Sequence, residues 1–309
     1  RELFIARENL PTSWRLLEQA THMDPQFARA WDTLAAVHSV AISWFPGPVI
    51  DHDALALGAA HRALEIDPEL SIAYAVIGMK HQVTGDGFSG AIKNLGIAIE
   101  KDPKNATAWL WRGITFKTMG YTARSVADFE QCLEIDPAYV ICRQYLASGL
   151  LSQGNIEEAV RQFEATIEAN FHSTDDDFVS YYVHIGQRNT ALMVAALALG
   201  NPSAPVKHWI DAIERPQEDH TFRIDRFNEW GRTYNIDVCD MDTVAIAMKK
   251  EDCFLTEANA GLLWHPDMAY FRKTQTFKDH INNRLMDYWQ QNGFPEQCRE
   301  LGDGDFECS

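Results

Sequence analysis

An Asp-Pro dipeptide recurs along the first half of the chain and constrains the fold more than any other feature. Its four copies are Asp24-Pro25, Asp67-Pro68, Asp102-Pro103 and Asp136-Pro137. The steps between successive prolines are 43, 35 and 34 residues. A period close to 34 residues indicates a row of stacked helix–turn–helix units, each of which needs its neighbours to bury its apolar face.

The dipeptide suits the boundary between two helices. Proline disfavours helical backbone in the residue before it, so the preceding helix ends there. Aspartate accepts hydrogen bonds from the free N–H groups at a helix start, and proline is tolerated in the first helical turn. We therefore expect each Asp-Pro to end one helix and to provide the N-cap of the next.

Two further positions repeat with the same period. An aromatic residue is followed four positions later by a small one, as Trp31 with Ala35, Tyr74 with Gly78, and Trp109 with Gly113. A large side chain beside a small one lets two helices approach closely. The pattern predicts antiparallel pairs of helices, here named A and B, that meet at the small residues.

These repeats resemble those of tetratricopeptide-repeat (TPR) proteins. The likeness covers residues 1–172, as a partial first repeat followed by four full ones. It implies an all-α fold, a right-handed TPR superhelix (α-solenoid) of antiparallel helix pairs. We interpret residues 173–264 as degenerate TPR-like helical pairs, with one long helix over residues 175–200. Residues 265–309 are expected to form a C-terminal helical cap and tail.

The tail carries a second resemblance. The phrase Trp264-His265-Pro266 and the ending Gly302-Asp-Gly-Asp-Phe-Glu-Cys308 are similar to the C-terminal TPR sensor region of bacterial membrane-anchored regulators. In those proteins a winged-helix DNA-binding domain or a class III adenylate cyclase domain precedes the sensor region. The chain begins at Arg1 without Met, so we expect a piece of a longer protein. His265 is expected to cap a helix rather than to catalyse.

The resemblance to TPR proteins implies a binding surface, because stacked A helices line a concave groove that takes peptides or partner segments. Counting along helix A in each repeat gives the expected groove residues Arg29, Asp32, Met79, Gln82, Trp111, Lys117, Gln144 and Tyr145. The alternative for each of them is packing between helices. A nine-residue insertion in the first full repeat carries Trp44 and Phe45, which either contact a partner or fold back over the first helix pair.

Six cysteines occur without a Cys-x-x-Cys motif, so the sequence gives no support to zinc or redox sites. Two disulfides are possible, Cys298 with Cys308 and Cys239 with Cys253. Cys132 takes a repeat position otherwise filled by Ala, which favours a small buried side chain. Because disulfides persist in oxidising compartments, we expect a periplasmic or extracellular protein, with the cytoplasm as the alternative.

Composition excludes some functions. With 27 Lys+Arg and 44 Asp+Glu the net charge is −17, which opposes direct binding to nucleic acid. The sequence has no nucleophile elbow, phosphate loop or metal-binding helix, so we expect neither an enzyme nor a cofactor. The expected function is a scaffold or sensor module that binds a protein or peptide. The alternatives are a structural subunit that self-associates or joins a larger assembly, and a small-ligand sensor.

Overall fold

The computed structural model describes residues 10–44, 50–81, 87–169, 177–199, 204–234, 242–249, 261, 263–302 and 304–309. The chain divides into two compact units. The first comprises Arg1–Phe116 with Arg124–Cys142, and the second comprises Lys117–Ala123 with Arg143–Ser309. Within the described ranges, none of the helices is both long enough and apolar enough to cross a membrane.

Nine helices follow one another in the repeat region of the described chain. They are α1 (Leu10–Met23), α2 (Ala28–Trp44), α3 (His52–Ile66), α4 (Ser71–His81), α5 (Gly87–Lys101), α6 (Ala106–Thr118), α7 (Thr122–Ile135), α8 (Val140–Ser152) and α9 (Ile156–Glu168). In the first unit α2 packs on α3 and α4 packs on α5. The all-α fold of TPR-type helix pairs expected from the sequence is confirmed.

Every Asp-Pro copy forms the same turn. The Asp backbone N–H donates to the carbonyl four residues earlier and closes helix B. Its side-chain Oδ1 then accepts from the N–H two residues later, at 2.9–3.1 Å. Helix A begins four residues after each Asp. The expectation that Asp is the helix N-cap is therefore wrong, because an Asx-type turn separates the two helices.

The small residues mark the close approaches, as expected. A Cβ built on Gly113 would lie 2.5 Å from the Phe129 ring, and one on Gly78 would lie 2.7 Å from Leu95 Cγ. The paired aromatic residues also contact the turn: Trp31 and Trp109 donate through Nε1 to the carbonyls of Pro25 and Pro103. The small residue thus brings helices A and B together, and the tryptophan fixes the start of helix A to the turn before it.

The region after the clear repeats continues as helices. They are α10 (Asp177–His184), α11 (Arg188–Ala198), α12 (Val206–Glu214), α13 (Thr221–Tyr234) and α14 (Asp242–Ala247). The single long helix expected over residues 175–200 is wrong. Gly186 takes φ +77°, a left-handed conformation that suits glycine and ends α10. The Gln187 N–H then donates to the Tyr182 carbonyl, and a second helix starts at Arg188.

The tail is only partly helical. It contains α15 (Gln275–Arg284) and α16 (Met286–Asn292), and it ends in an antiparallel hairpin of β1 (Cys298–Gly302) and β2 (Asp305–Cys308). The expected helical cap is therefore present only up to Asn292, and the last residues form strands instead of helices. Gly302 and Gly304 both have positive φ and allow the tight reversal between the strands.

Aromatic side chains hold the tail within the second unit. Its core consists of fully buried rings: Trp264, Phe271, Phe277, Trp289 and Phe306. Trp264 and Trp289 each donate through Nε1, at 3.1 Å, to the carbonyls of Thr118 and Met119 at the end of α6. His265 Nδ1 accepts from the Asp267 N–H at the start of a short 3₁₀ turn, so its expected capping role is confirmed.

Two disulfides lie in the described chain. Cys298 pairs with Cys308 across the hairpin, which is the pairing expected from the sequence. Cys132 is fully buried, but it is bonded to Cys142 on α8, so the expectation of a free small side chain is wrong. This bond joins the end of α7 to the start of α8. Cys239 and Cys253 lie outside the described residues.

Candidate functional site

A cavity of about 420 Å³ lies in the first unit, at the start of three successive A helices. We name it the α2–α4–α6 cavity. Helix α2 provides one wall, and the turns that lead into α4 and α6 provide the others. The lining residues are Arg29, Asp32, Thr33, Ala36, Glu69, Leu70, Ser71, Ile72, Asp102, Asn105 and Thr107.

Asp32 joins the first two walls. Its Oδ1 accepts a hydrogen bond of 2.7 Å from the Ala73 N–H, one of the free donors in the first turn of α4. The side chain of one repeat thereby caps the A helix of the next. Asp32 is only 8% exposed. Burial raises its pKa to about 7, although the Ala73 N–H favours the charged form.

A second set of hydrogen bonds joins the α4 and α6 walls. Asn105 Nδ2 donates to Ser71 Oγ at 2.7 Å, and Ser71 Oγ donates to the Ala98 carbonyl at 2.7 Å. Asn105 Oδ1 also accepts from the Ala108 N–H in the first turn of α6. Ser71 and Asn105 are buried and their side chains are held in place. The cavity is therefore bounded by a fixed polar frame.

The charges on the cavity wall are unequal. Asp32, Glu69 and Asp102 are acidic, and Arg29 is the basic residue among the lining residues. Glu69 also forms an ion pair of 2.5 Å with Lys101, and water screens the pair because the Glu69 side chain is 70% exposed and that of Lys101 is 29% exposed. The wall as a whole therefore favours cationic over anionic groups.

Only some of the expected groove residues line the α2–α4–α6 cavity. Arg29 and Asp32 both line the cavity. Met79, on α4, is partly buried and lies outside the lining, and Gln82 lies outside the described residues. Trp44 is the last residue of α2, but its side chain and Phe45 also lie outside the description. The contact expected at Trp44 and Phe45 therefore stays a prediction.

Two other expected groove residues, Trp111 and Lys117, are too buried to contact a partner. Trp111 is 3% exposed and lies in the core of the first unit, so packing between helices occupies its side chain. Lys117 is 8% exposed, and its Nζ donates to Ser148 Oγ in the second unit. The Lys117 ammonium also lies 5.9 Å from the centre of the Tyr145 ring. Gln144 and Tyr145 are partly buried on α8.

Three polar lining residues at the start of the A helices were not among the expected groove residues. Asn105 lies just before α6, and Ser71 and Thr107 lie in the first turns of α4 and α6. One signal was available at the residue that precedes helix A. Three repeats have Phe27, Leu70 or Tyr139 there, whereas the third has Asn105. A polar residue in an apolar repeat position indicates a specific hydrogen-bonding role.

A second cavity bears on the small-ligand alternative. Where α10, α12 and α14 meet the tail, the space between Trp209, Thr243, His265 and their neighbours is about 10 Å³. That is room for a single water molecule and not for a metabolite. In the described part of the chain, no group of three or more His, Cys, Asp or Glu residues is arranged to hold a metal ion.

Comparisons with known proteins agree with the repeat pattern. Residues 106–139 match the tetratricopeptide repeat family model. The chain is 24% identical over 149 residues to a tetratricopeptide repeat and J domain-containing co-chaperone of Cryptococcus neoformans. It is 30% identical over 95 residues to the peroxisomal targeting signal receptor of Komagataella phaffii. These matches cover 48% and 31% of this chain, but only 28% and 16% of the relatives.

Several solved structures also resemble parts of the chain. MamA covers 50% of this chain and 85% of its own, with a TM-score of 0.36 and 19% identity. A TPR protein of Thermus thermophilus covers 50% of this chain and 80% of its own, with a TM-score of 0.41 and 21% identity. Yeast Tom70 covers 91% of this chain and 59% of its own, with a TM-score of 0.45 and 13% identity. At such scores the fold assignment depends on the repeats and helix pairs themselves.

Proposed function

We propose that this chain is a non-catalytic interaction module that binds a peptide or an extended segment of a partner protein at the α2–α4–α6 cavity. One observation carries the proposal. The cavity combines a fixed polar frame with about 420 Å³ of open volume at the starts of three A helices. A pre-formed cavity of this size is typical of a binding site.

The lining suits a peptide better than a rigid metabolite. Ala36, Leu70 and Ile72 offer apolar surface, and the acidic residues lie along the same wall. An extended segment can place one side chain in such a cavity while its backbone continues along the surface. The co-chaperone and receptor names of the relatives are consistent with protein binding. We extend the proposal to a scaffold or sensor role within a longer protein.

The disulfides support a proposal about the compartment. Cys132–Cys142 and Cys298–Cys308 both lie within short chain segments. Such bonds persist where the surroundings are oxidising. We propose that the chain works in a periplasmic or extracellular setting.

A cavity-filling variant tests the binding proposal. Peptides are first selected from a random-peptide phage library on the intact chain, and their affinities are measured by calorimetry. Ile72→Trp places an indole at the cavity wall, and Leu55→Trp, at an exposed position on α3 outside the cavity, is the matched control. We expect Ile72→Trp to weaken binding about tenfold or more, and Leu55→Trp to leave it unchanged.

Circular dichroism must show the same helicity in both variants. Equal affinities of the selected peptides for Ile72→Trp and the unchanged chain would contradict the cavity assignment. A failure to select any peptide would contradict the peptide-binding function as a whole.

A further inference from the structure

We propose that the α2–α4–α6 cavity receives a cationic side chain of the bound segment, a lysine ammonium or an arginine guanidinium, with the Asp32 carboxylate as its counter-charge. This inference rests on the proposed function and names the chemistry of its ligand. It depends on three features of the cavity: an incompletely paired carboxylate, the charges around it, and the shape of the wall.

The carboxylate of Asp32 has one oxygen left for a ligand. Oδ1 is bonded to the Ala73 N–H at 2.7 Å. Oδ2 has no hydrogen-bond partner among the described residues, although the side chain is more than nine-tenths buried and lines the cavity. Oδ2 is therefore open to the cavity, where water or a ligand can reach it. A ligand that brings an N–H donor can bond to this oxygen, and a charged donor makes the stronger bond.

The surrounding charges select the sign of the ligand. Arg29 is on the same helix, three residues before Asp32, and its positive charge lowers the pKa of Asp32 without forming an ion pair with it among the described contacts. Glu69 and Asp102 come from the turns before α4 and α6, and Asp67 adds a further negative charge near Asp32. A carboxylate or phosphate ligand would therefore meet three acidic residues and one basic residue in the lining. A cationic ligand offsets the excess of acidic over basic residues in the lining.

The wall also suits a long cationic side chain. Ala36 and Ile72 give apolar surface on the way to Asp32. Lysine and arginine bury their methylene stems against such surface while the charged end reaches a polar partner. The volume of about 420 Å³ accommodates one such side chain together with part of the backbone that carries it.

The test uses peptides selected from the random-peptide phage library on the intact chain. We expect the selected sequences to share one Lys or Arg position. Replacing that residue by Met, which keeps the apolar stem, should lower affinity about tenfold or more for the unchanged protein. If the selected peptides lack a common basic position, or if the Met peptides bind equally, the inference is overturned while the proposed function stands. If no peptide is selected, both fail.

The protein variants make the assignment specific. Asp32→Asn keeps the acceptor for the Ala73 N–H and removes the charge, and Glu130→Gln, at an exposed position on α7, is the charge-matched control. In Asp32→Asn the Lys and Met peptides should bind alike, whereas Glu130→Gln should retain the full difference. Retention of the difference in a folded Asp32→Asn would overturn the role of Asp32.

Discussion

At the residue scale, two buried titratable groups of the first unit respond to pH in opposite directions. Burial raises the pKa of Asp32 to about 7. Burial and the neighbouring His52 lower the pKa of His38 to about 4, with the two Nδ1 atoms 2.9 Å apart. The cost of Asp32 to stability therefore grows as the pH rises from about 4 to about 7, and the full cost remains above pH 7. His38 costs stability as the pH falls below about 6.5, since only the unfolded chain then gains the proton.

The first prediction isolates Asp32 by comparing Asp32→Asn with the unchanged chain. The unfolded Asp ionises near pH 3.8 and the folded one near pH 7, so its penalty grows between these values and is complete above them. Asn carries no such penalty. We expect Asp32→Asn to be more stable at pH about 8, by at most roughly 4 kcal/mol. The difference should vanish near pH 4, where the His38 penalty is present in both proteins.

Urea denaturation at several pH values measures this difference. Glu130→Gln is the control, because an exposed carboxylate has no comparable desolvation penalty. A stability difference that is the same at pH 4 and 8 would show that burial does not raise the pKa of Asp32.

At the element scale, the distance between paired helices depends on glycine at single positions. Gly113 and Phe129 bring α6 and α7 together, since a Cβ at Gly113 would lie 2.5 Å from the ring. Gly58, inside α3, has nothing within 4 Å of its Cβ position. The same residue type thus has a packing role in one helix and none in the other.

The second prediction uses that contrast. Gly113→Ala should destabilise the protein by about 1–3 kcal/mol, because Phe129 must move out of its packed position. Gly58→Ala should stabilise it by roughly 0.5–1 kcal/mol, since alanine loses less backbone entropy in a helix. Thermal and urea unfolding of the two variants provide the measurement. Stabilisation by both substitutions would mean that α6 and α7 are not closely packed at Gly113.

The third prediction concerns the attachment of the tail to the end of α6. Trp289→Phe removes the donor to the buried Met119 carbonyl and leaves a void in the aromatic core. We expect a loss of about 2–4 kcal/mol from the unpaired carbonyl and the void together. Trp109→Phe is the matched control, because it loses a similar bond to the exposed Pro103 carbonyl, which water can replace. Equal losses in the two variants would contradict the buried attachment.

At the scale of the whole molecule, the described part of each compact unit contains a disulfide between cysteines ten residues apart. Cys132–Cys142 joins α7 to α8 in the first unit, and Cys298–Cys308 closes the hairpin in the second. Loops of this length restrict the unfolded chain enough to contribute about 3 kcal/mol each.

The fourth prediction is that protein made in an oxidising host contains both bonds. Alkylation of the denatured, unreduced protein followed by peptide mass mapping should leave these four cysteines unlabelled and recover both cross-linked peptides. Reduction should lower the unfolding midpoint, because the unfolded chain is then less restricted. Labelling of all four cysteines before reduction would contradict the disulfides and the proposed compartment.

The sequence alone determined the features that depend on short-range periodicity. Each Asp-Pro turn repeats a local hydrogen-bond pattern, and the Gly78 and Gly113 positions follow from the repeat register. It also identified Arg29 and Asp32 as residues on one face of helix A. Their position on the cavity wall agrees with that face. The division into residues 1–172, 173–264 and 265–309 stays a prediction of the sequence.

Only the tertiary structure decided how the side chains are used. The sequence predicts both Trp111 and Asp32 as groove residues on helix A. Packing buries Trp111 in the core, whereas Asp32 keeps one carboxylate oxygen at the cavity. The sequence likewise did not predict three other contacts: the Cys132–Cys142 bond, the hairpin at the end of the tail, and the Asn105–Ser71 hydrogen bond. The reason is that these contacts join separate elements, and their energies depend on burial and distance rather than on the order of neighbouring residues.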